Sequence, residues 1–300
     1  MRGASVSLPD HLASALQDAG VDPRYVEDLA RAALEEDLAG GVDVTTEATV
    51  AQDQRSTGDL VTRAEGVVAG LAVAEAVFFC TAGGELEVSR AVDDGSRVRR
   101  GTTLMTLTGP TRALLLAERT ALNLLCRLSG IATITRQWAD ALNGTGAVVR
   151  DTRKTTPLLR ELEKYAVRCG GGQNHRMSLS DAALIKDNHI VAAGGVTAAF
   201  KAVAAAFPDV PVEIEVDSID GAVEAAEAGA DLILLDNFTP PDVAEAVESV
   251  AGRAKLEVSG GLTYYAARSF GETGVDYLAV GELTHSAPIL DIAFDLRPSG

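Results

Sequence analysis

Three short segments between residues 151 and 189 bring arginine, lysine, histidine and glycine together at close spacing. They are DTRKT at 151–155, GGGQNHR at 170–176 and KDNH at 186–189. The stretch from Arg150 to Arg176 holds seven basic and three acidic residues, although the net charge of the chain is −17. Arginine binds carboxylates through paired hydrogen bonds, and lysine supplies compact charge for phosphate. The segments therefore predict a pocket for a small polyanion.

Not every basic residue of this stretch is expected in the pocket. Arg160, Lys164 and Arg168 follow helical spacing, and we interpret them as solvent-exposed helix charges. Four other basic residues stand beside predicted strand ends or glycine turns, where that interpretation fits poorly: Arg153, Lys154, Arg176 and Lys186.

The pattern after residue 145 predicts the elements that position these groups. Short apolar strands alternate with amphipathic helices, which indicates a parallel sheet and favours an incomplete α/β barrel over an open sheet. The predicted strands are 147–150, 183–186, 212–216, 231–235, 256–259 and 277–280. The predicted helices lie near 157–169, 196–206, 219–229, 241–250 and 263–270.

The first 110 residues have a different pattern, typical of a sandwich-like α+β domain. Helices are predicted at 9–19, 23–38 and 71–81, and strands at 57–63, 66–69, 86–90 and 103–107. A long apolar helix follows from 110 to about 135. Arg119 interrupts an apolar stripe of this helix. It is expected either to form a buried ion pair, or to extend its charged end to the surface, or to lie at a subunit contact and point into a binding site.

Polar residues follow all six predicted barrel strands, where the chemistry of parallel barrels is located. Glu215 and Asp236 form an acidic pair suited to Mg²⁺ or to ribose hydroxyls. Ser259, Gly260 and Gly281 follow the last two strands, where exposed backbone N–H groups commonly bind phosphate. His175 adjoins Arg176 after three glycines and is predicted to contact a ligand. His189 and His285 are not expected to contact a ligand and at most support the residues that do.

Composition excludes several classes of function. A chain with 43 acidic and 26 basic residues and no basic stripe is unsuited to nucleic acid. It has neither an apolar run of membrane-spanning length nor the apolar segment of a signal peptide, so we expect a cytoplasmic protein without membrane association. Three widely spaced cysteines indicate reduced thiols.

The segments DTRKTTP, EKYAVRCGGGQNHR, LIKDNHI, EIEVDS, LLDNF, SGGL and GVDYLAVGELTHS, with AERTALNLL upstream, resemble the quinolinate phosphoribosyltransferase family. The resemblance runs from about Glu36 to His285. It implies Mg²⁺-dependent transfer of phosphoribose from phosphoribosyl pyrophosphate (PRPP) to quinolinate, with release of pyrophosphate and CO₂, in NAD biosynthesis. It also implies a homodimer, or a higher oligomer built from it, whose active sites are shared between subunits.

The resemblance implies a role for each site residue. Arg153, His175, Arg176 and Lys186 would bind the quinolinate carboxylates, joined by Arg119 of the other subunit. Lys154 would face the pyrophosphate, Glu215 and Asp236 the ribose hydroxyls and Mg²⁺, and Ser259, Gly260 and Gly281 the 5′-phosphate. Lys154, Lys186, Glu215 and Asp236 are the residues expected to act in catalysis. Leu158 and Met177-Ser178 depart from the family pattern and could alter loop conformation.

The expected domains are 1–128 for the α+β domain and 129–287 for the barrel. A C-terminal tail, 288–300, follows, and one option is that this tail returns to the first domain. Two rival functions stay open. One is a Schiff-base lyase that uses Lys186. The other is a paralogue that shares the fold and has a different substrate.

Overall fold

The computed structural model describes residues 7–298. The first half contains α1 (Asp10–Asp18), α2 (Pro23–Leu38), α3 (Val44–Thr49), β1 (Arg55–Thr62), β2 (Gly66–Val67), α4 (Leu71–Ala82), β3 (Glu87–Arg90), β4 (Arg97–Val98), β5 (Thr103–Pro110) and α5 (Thr111–Ala141). The second half contains β6 (Val148–Arg150), α6 (Arg160–Cys169), β7 (Ala183–Ile185), α7 (Asp187–Ala193), α8 (Val196–Ala206), β8 (Val212–Val216), α9 (Ile219–Ala228), β9 (Leu232–Asp236), α10 (Pro240–Val250), β10 (Lys255–Ser259), α11 (Ala267–Gly271), β11 (Tyr277–Ala279), α12 (Glu282–His285) and β12 (Ile292–Pro298).

The described residues form two compact units. Unit 1 comprises residues 7–134, 161–170 and 287–298, and unit 2 comprises residues 135–160 and 171–286. The segment 161–170 thus belongs to unit 1, although a domain boundary at 128/129 assigns it to the barrel. The expectation of exposed charges is wrong for Lys164 in this segment, because its side chain is fully buried; Arg168 is exposed and Arg160 is half-buried.

Unit 1 is built on a four-stranded antiparallel sheet in the order β12-β1-β5-β3. Every second residue of β1 is buried, as expected for a strand with one face on a core. Helix α4 is apolar on most of its surface and supplies Val77 and Phe78 to that core. Helix α2 begins at the predicted position, where the Asp22 carboxylate accepts a hydrogen bond from the Arg24 N–H at 2.9 Å.

The C-terminal strand β12 completes this sheet by pairing with β1 along its length. Gly58 of β1 lies against the Phe294 ring so closely that a Cβ there would be 2.1 Å from the ring's Cζ. Phe294 also packs on Phe78, with ring centroids 5.5 Å apart. Strand β12 therefore contributes Ile292 and Phe294 to the unit 1 core.

Unit 2 contains six parallel strands in the order β6-β11-β10-β9-β8-β7. A bridge between Arg150 and Gln173 adds a short parallel segment beside β6. This order is that of a βα barrel in which β6 and β7, the two ends of the sheet, are not paired with each other. The Arg176 Nη1 donates to the Ala182 carbonyl oxygen at 3.0 Å and so connects the two ends. The predicted α/β class, with an α+β unit before an incomplete parallel barrel, is confirmed.

Three short helices, α3, α7 and α12, were not predicted. Helix α7 begins directly after Lys186, where the Lys186 N–H donates to Nδ1 of His189 at 3.0 Å. This side-chain contact stabilises the first turn of a segment too short to show a helical repeat. Among residues 7–298, no single helix is long and apolar enough to cross a bilayer; α7 and α8 reach that length only as a pair bent by 90°.

Candidate active site

A cavity of about 410 Å³ lies at the carboxyl ends of the unit 2 strands. Nine residues selected from the sequence contribute to its walls: Arg153, Lys154, His175, Arg176, Lys186, Glu215, Asp236, Ser259 and Gly260. Gly281 adjoins this set, because a Cβ there would be 3.1 Å from Cδ of Lys154. Parallel strands bring residues far apart in sequence to one edge of a sheet, which explains how these segments meet.

Arg153 and Arg176 form a cationic wall of the cavity. The pKa of Arg176 is lowered, first by burial and then by the neighbouring charge of Arg153. Nε of Arg153 is buried and has no hydrogen-bond partner among the described residues. Two neighbouring arginines, one of them with an unpaired buried Nε, favour the binding of an anion at this wall.

Lys186 and Glu215 stand on the adjacent strand ends of β7 and β8. The Lys186 Nζ lies 2.5 Å from Oε2 of Glu215. Asp236 ends the next strand, β9, and its Oδ2 accepts a hydrogen bond from the Asn237 side-chain amide at 2.8 Å. Asn237 adopts a left-handed conformation, with φ of 59°, which turns its amide back toward Asp236. The two acids therefore lie on neighbouring strands, each oriented by a partner.

The opposite wall is made of glycine turns. Gly260 has a φ of 90°, and a Cβ there would be 2.3 Å from Oδ1 of Asn237 and 3.0 Å from Oδ1 of Asp236. Gly281 has an ordinary φ of −68° but lies between Lys154 and the His285 ring. The Thr284 hydroxyl donates to the Lys154 carbonyl oxygen at 2.9 Å and fixes the turn that carries this lysine. Because the neighbouring residues leave little room for a side chain at Gly260 or Gly281, the backbone itself forms the cavity wall at these positions.

A cluster of buried charged residues lies beneath the cavity. Nη1 of Arg150 is 2.5 Å from Glu257, and Nε2 of His175 is 2.7 Å from Glu213. The backbone N–H of His175 donates to the Asp151 carboxylate at 2.9 Å. Burial, together with the charge of Glu213, raises the pKa of Glu257 to about 7. Glu213 and Glu257 are 4% and 0% exposed, so they support the site from below.

Sequence reasoning missed Glu213 and Glu257, although a signal was present. Side chains two residues apart on a strand share a face. Glu213 therefore points to the same side of β8 as Glu215, and Glu257 to the same side of β10 as Ser259. The alternation in EIEV and LEVS would have allowed the prediction of a carboxylate on the same face as each selected residue, two positions earlier in the strand.

The remaining selected residues lie elsewhere. His189 serves as the cap of α7, and His285 has its Nδ1 2.6 Å from the Ser286 hydroxyl oxygen while its ring approaches Gly281. Arg119 is exposed on α5 in unit 1. A second cavity of about 730 Å³ shares Arg153, Arg176 and Lys186 with the first and continues along the apolar face of α8.

Two family models match the chain. The model of the quinolinate phosphoribosyl transferase N-terminal domain covers residues 43–129, and that of the C-terminal domain covers residues 131–295. The chain is 51% identical over 273 residues to the carboxylating nicotinate-nucleotide pyrophosphorylase of Mycobacterium leprae, a match over 90% of this chain and 96% of the relative.

Two further proteins are similar to this chain over most of its length. A probable carboxylating nicotinate-nucleotide pyrophosphorylase of Bacillus subtilis is 41% identical, with 88% of this chain and 91% of the relative covered. The crystal structure of NadC from Streptococcus pyogenes superposes with a TM-score of 0.89 at 40% identity, over 93% of this chain and 99% of that one. With both domain models matched in order along one chain, the protein belongs to the quinolinate phosphoribosyltransferase family.

Proposed function

We propose that the protein transfers phosphoribose from PRPP to quinolinate, with loss of CO₂, and so forms nicotinate mononucleotide and pyrophosphate. The single observation that carries the proposal is the convergence of a cationic wall, an acidic pair and a glycine turn on one cavity. A dianionic pyridine, a ribose and a terminal phosphate need these three surfaces. Membership of the family supplies the reaction that unites them.

Arg153, Arg176 and Lys186 hold the two carboxylates of quinolinate in this proposal. Binding there presents the pyridine nitrogen to the anomeric carbon of PRPP and confines both reactants, which removes much of the entropic cost of their encounter. Alkylation of the nitrogen makes the ring an electron sink, so the adjacent carboxylate leaves as CO₂. The electron pair of the broken C–C bond stays on the ring carbon, which then takes up a proton from solvent. The retained carboxylate stays paired with Arg153 and Arg176, which keeps the ring in place during both steps.

Glu215 and Asp236 fit Mg²⁺. Two carboxylates on neighbouring strand ends offer the few protein oxygens that Mg²⁺ takes when it shares the rest with water and phosphate. When bound, Mg²⁺ would neutralise charge that develops on the pyrophosphate. Lys154 contributes a further positive charge on the pyrophosphate side, and the two acids face the cationic sugar. Lys186 then has two roles, as a quinolinate contact and as the ion-pair partner of Glu215.

The 5′-phosphate belongs at Ser259, Gly260 and Gly281. The close approach of Asn237 to Gly260 leaves backbone N–H groups as the surface that a phosphate meets. The Lys154 side chain passes beside Gly281, so the phosphate and pyrophosphate ends of PRPP are held by adjoining residues.

The proposal includes a homodimer in which Arg119 of one subunit joins the quinolinate site of the other. Arg119 is exposed, and the cavity along α8 ends in exposed apolar side chains such as Phe207 and Leu179. Exposed apolar surface of this kind favours coverage by a second protein chain. Sedimentation of wild type and mixing of Arg119→Ala with Arg176→Ala test this: activity restored in the mixture supports shared sites, and no restoration counts against them.

The reaction is tested by incubating the protein with quinolinate, PRPP and Mg²⁺, with nicotinate in a parallel tube. Release of CO₂ and pyrophosphate with quinolinate, and no turnover with nicotinate, is the expected result. Arg176→Ala should lower kcat/KM for quinolinate by about 100-fold, because it removes charge-assisted hydrogen bonds. Arg253→Ala, an exposed arginine of the same unit, is the control. Unchanged quinolinate kinetics in Arg176→Ala would reject its role.

The Schiff-base alternative is disfavoured by the Lys186–Glu215 ion pair, since a nucleophilic amine must be neutral. Borohydride trapping with carbonyl substrates should give no adduct. A paralogue with another substrate would show itself in the first assay by failing to release CO₂ from quinolinate.

A further inference from the structure

Trp138 is the single tryptophan of the chain, and its side chain is fully buried. It lies near the end of α5, in the part of this helix that belongs to unit 2. Its indole Nε1–H donates to Oε1 of Glu282 at 3.1 Å. Its ring meets the Tyr264 ring edge to face, with centroids 6.1 Å apart and planes at 80°. The indole therefore contacts two separate segments of unit 2, one through a hydrogen bond and one through an aromatic pair.

Both partners of Trp138 adjoin the turns assigned to the 5′-phosphate. Glu282 directly follows Gly281 and is the first residue of α12. Tyr264 begins a short 3₁₀-helix, Tyr264–Ala266, three residues after Gly261. The glycine turn after β10 and the turn after β11 thus share one buried side chain as a support.

The hydrogen bond to Glu282 holds a charged group beside the phosphate-binding turn. Indole nitrogen can only donate, and a buried N–H without an acceptor is costly, so Trp138 favours a single position of the Glu282 carboxylate. A carboxylate that turned toward the cavity would repel a bound phosphate. Pairing with Trp138 keeps this negative charge at the indole.

Helix α12 extends the effect of this contact to the pyrophosphate side. The helix has four residues, Glu282–His285, and it also carries Thr284, whose hydroxyl donates to the Lys154 carbonyl oxygen at 2.9 Å. A displacement of Glu282 would therefore move both Gly281 and the contact that fixes the Lys154 turn.

We infer that Trp138 is a positioning residue that holds the two phosphate-binding turns of unit 2 through Glu282 and Tyr264, and so contributes to the affinity for PRPP. The inference rests on the proposed function, because the 5′-phosphate site is part of it. Its two contacts follow β10 and β11, whereas the quinolinate contact Lys186 follows β7 at the other end of the sheet order. Loss of the Trp138 contacts should therefore affect PRPP more than quinolinate.

Steady-state kinetics with the second substrate at saturation test the hydrogen bond. Trp138→Phe keeps an aromatic ring and removes the N–H, and we expect it to raise the KM for PRPP by about tenfold and the KM for quinolinate by less than about twofold. Glu282→Leu should match it. Glu282→Gln keeps an acceptor oxygen and should raise the PRPP KM by less than about threefold. The double variant Trp138→Phe/Glu282→Leu should be no worse than either single variant, because both remove the same bond.

The control is Tyr165→Phe in unit 1. It also removes an aromatic donor from a carboxylate, since the Tyr165 hydroxyl donates to Asp94 at 2.6 Å. This variant should lose stability and keep the wild-type KM for PRPP. Equal rises in the two KM values of Trp138→Phe, or a PRPP effect of the same size in Tyr165→Phe, would overturn the inference. If Trp138→Phe does not fold, the order of Glu282→Leu and Glu282→Gln decides, and equal KM values in those two variants count against it.

The aromatic contact is tested by Tyr264→Leu. Tyr264 is 45% exposed, so the fold should tolerate leucine there. An aromatic pair of this geometry corresponds to a roughly two- to tenfold effect, and we expect the PRPP KM to rise within that range. No rise would overturn the claim that Trp138 holds the glycine turn after β10.

Fluorescence of the single tryptophan gives a direct readout in the wild-type protein. PRPP is titrated with Mg²⁺ and a constant concentration of phthalate, which carries two neighbouring carboxylates and has no ring nitrogen to react. The emission of Trp138 should change and saturate together with PRPP binding measured by equilibrium dialysis. Binding without a change in emission would overturn the inference. Absence of quinolinate turnover in wild type would instead refute the proposed function.

Discussion

Gly260 lies so close to the acidic pair that a single added methyl group should disturb PRPP binding. Alanine at position 260 would place its Cβ 2.3 Å from Oδ1 of Asn237 and 3.0 Å from Oδ1 of Asp236. Contacts this short force the Asn237 amide away. The hydrogen bond from Asn237 to Asp236, now 2.8 Å, would then be lost, together with the orientation of Asp236.

The expected effect of Gly260→Ala has two parts, a loss of stability and a decrease in kcat/KM for PRPP. The φ of 90° costs an alanine about 1–2 kcal/mol of stability, whatever its surroundings. Loss of a hydrogen bond to a charged group costs about 1.5–3 kcal/mol, which corresponds to a roughly 10- to 150-fold decrease in kcat/KM for PRPP. Gly261 isolates the first part, since its φ is also positive, at 59°, and nothing lies within 4 Å of a Cβ there.

The assay compares Gly260→Ala with Gly261→Ala in steady-state kinetics and in chemical unfolding. Both should lose stability to a similar extent, and only Gly260→Ala should lose kcat/KM for PRPP by tenfold or more relative to its neighbour. Equal PRPP kinetics in the two variants would refute the reasoning, because strain alone would then account for the effect.

Three further outcomes are expected. Glu215→Gln should raise the Mg²⁺ concentration for half-maximal activity several-fold, with the exposed Asp217→Asn as control; no shift would remove Glu215 from the metal site. The raised pKa of Glu257 means that its stabilising contribution is present at low pH and is lost as pH rises from 4.5 through about 7. Glu257→Gln should therefore gain stability relative to wild type over that range in pH-dependent unfolding, and a constant difference would contradict the shift. Phe294→Ala should cost about 3–5 kcal/mol in urea unfolding, and a loss below about 1 kcal/mol would exclude Phe294 from the core.

Much of the fold was predictable because its pattern is local. The six strands of the barrel appeared as short apolar runs, and the structure places each within one or two residues of the predicted bounds. Helix α5 was predicted to end near 135 and instead continues to Ala141, since neither proline nor glycine occurs between 135 and 143. The burial of Lys164 had no local signal, because helical spacing does not reveal what packs against the helix.

The candidate site was predictable at the level of residue type. Strand-end position brought nine selected residues to one cavity, and the family resemblance is confirmed by the matching models. The roles of these residues, the Mg²⁺ requirement, the dimer and the cytoplasmic location stay predictions. The hydrogen-bond partners of the site residues could not be predicted from the sequence. The His175 ring, for example, contacts Glu213, which is 38 positions away in the chain.

The ligand-facing groups occur one per strand along a single edge, in the order Lys186, Glu215, Asp236 and Ser259 at the carboxyl ends of β7, β8, β9 and β10. Their separations are therefore governed by the interstrand spacing of about 4.8 Å and are independent of the lengths of the connecting helices. Insertions or deletions in α8, α9 or α10 should leave the active-site dimensions intact. A shift of one strand by a single residue would instead turn its functional side chain to the outer face. Evolution can thus vary the periphery of this unit freely while the interval between carboxylate and phosphate recognition stays constant.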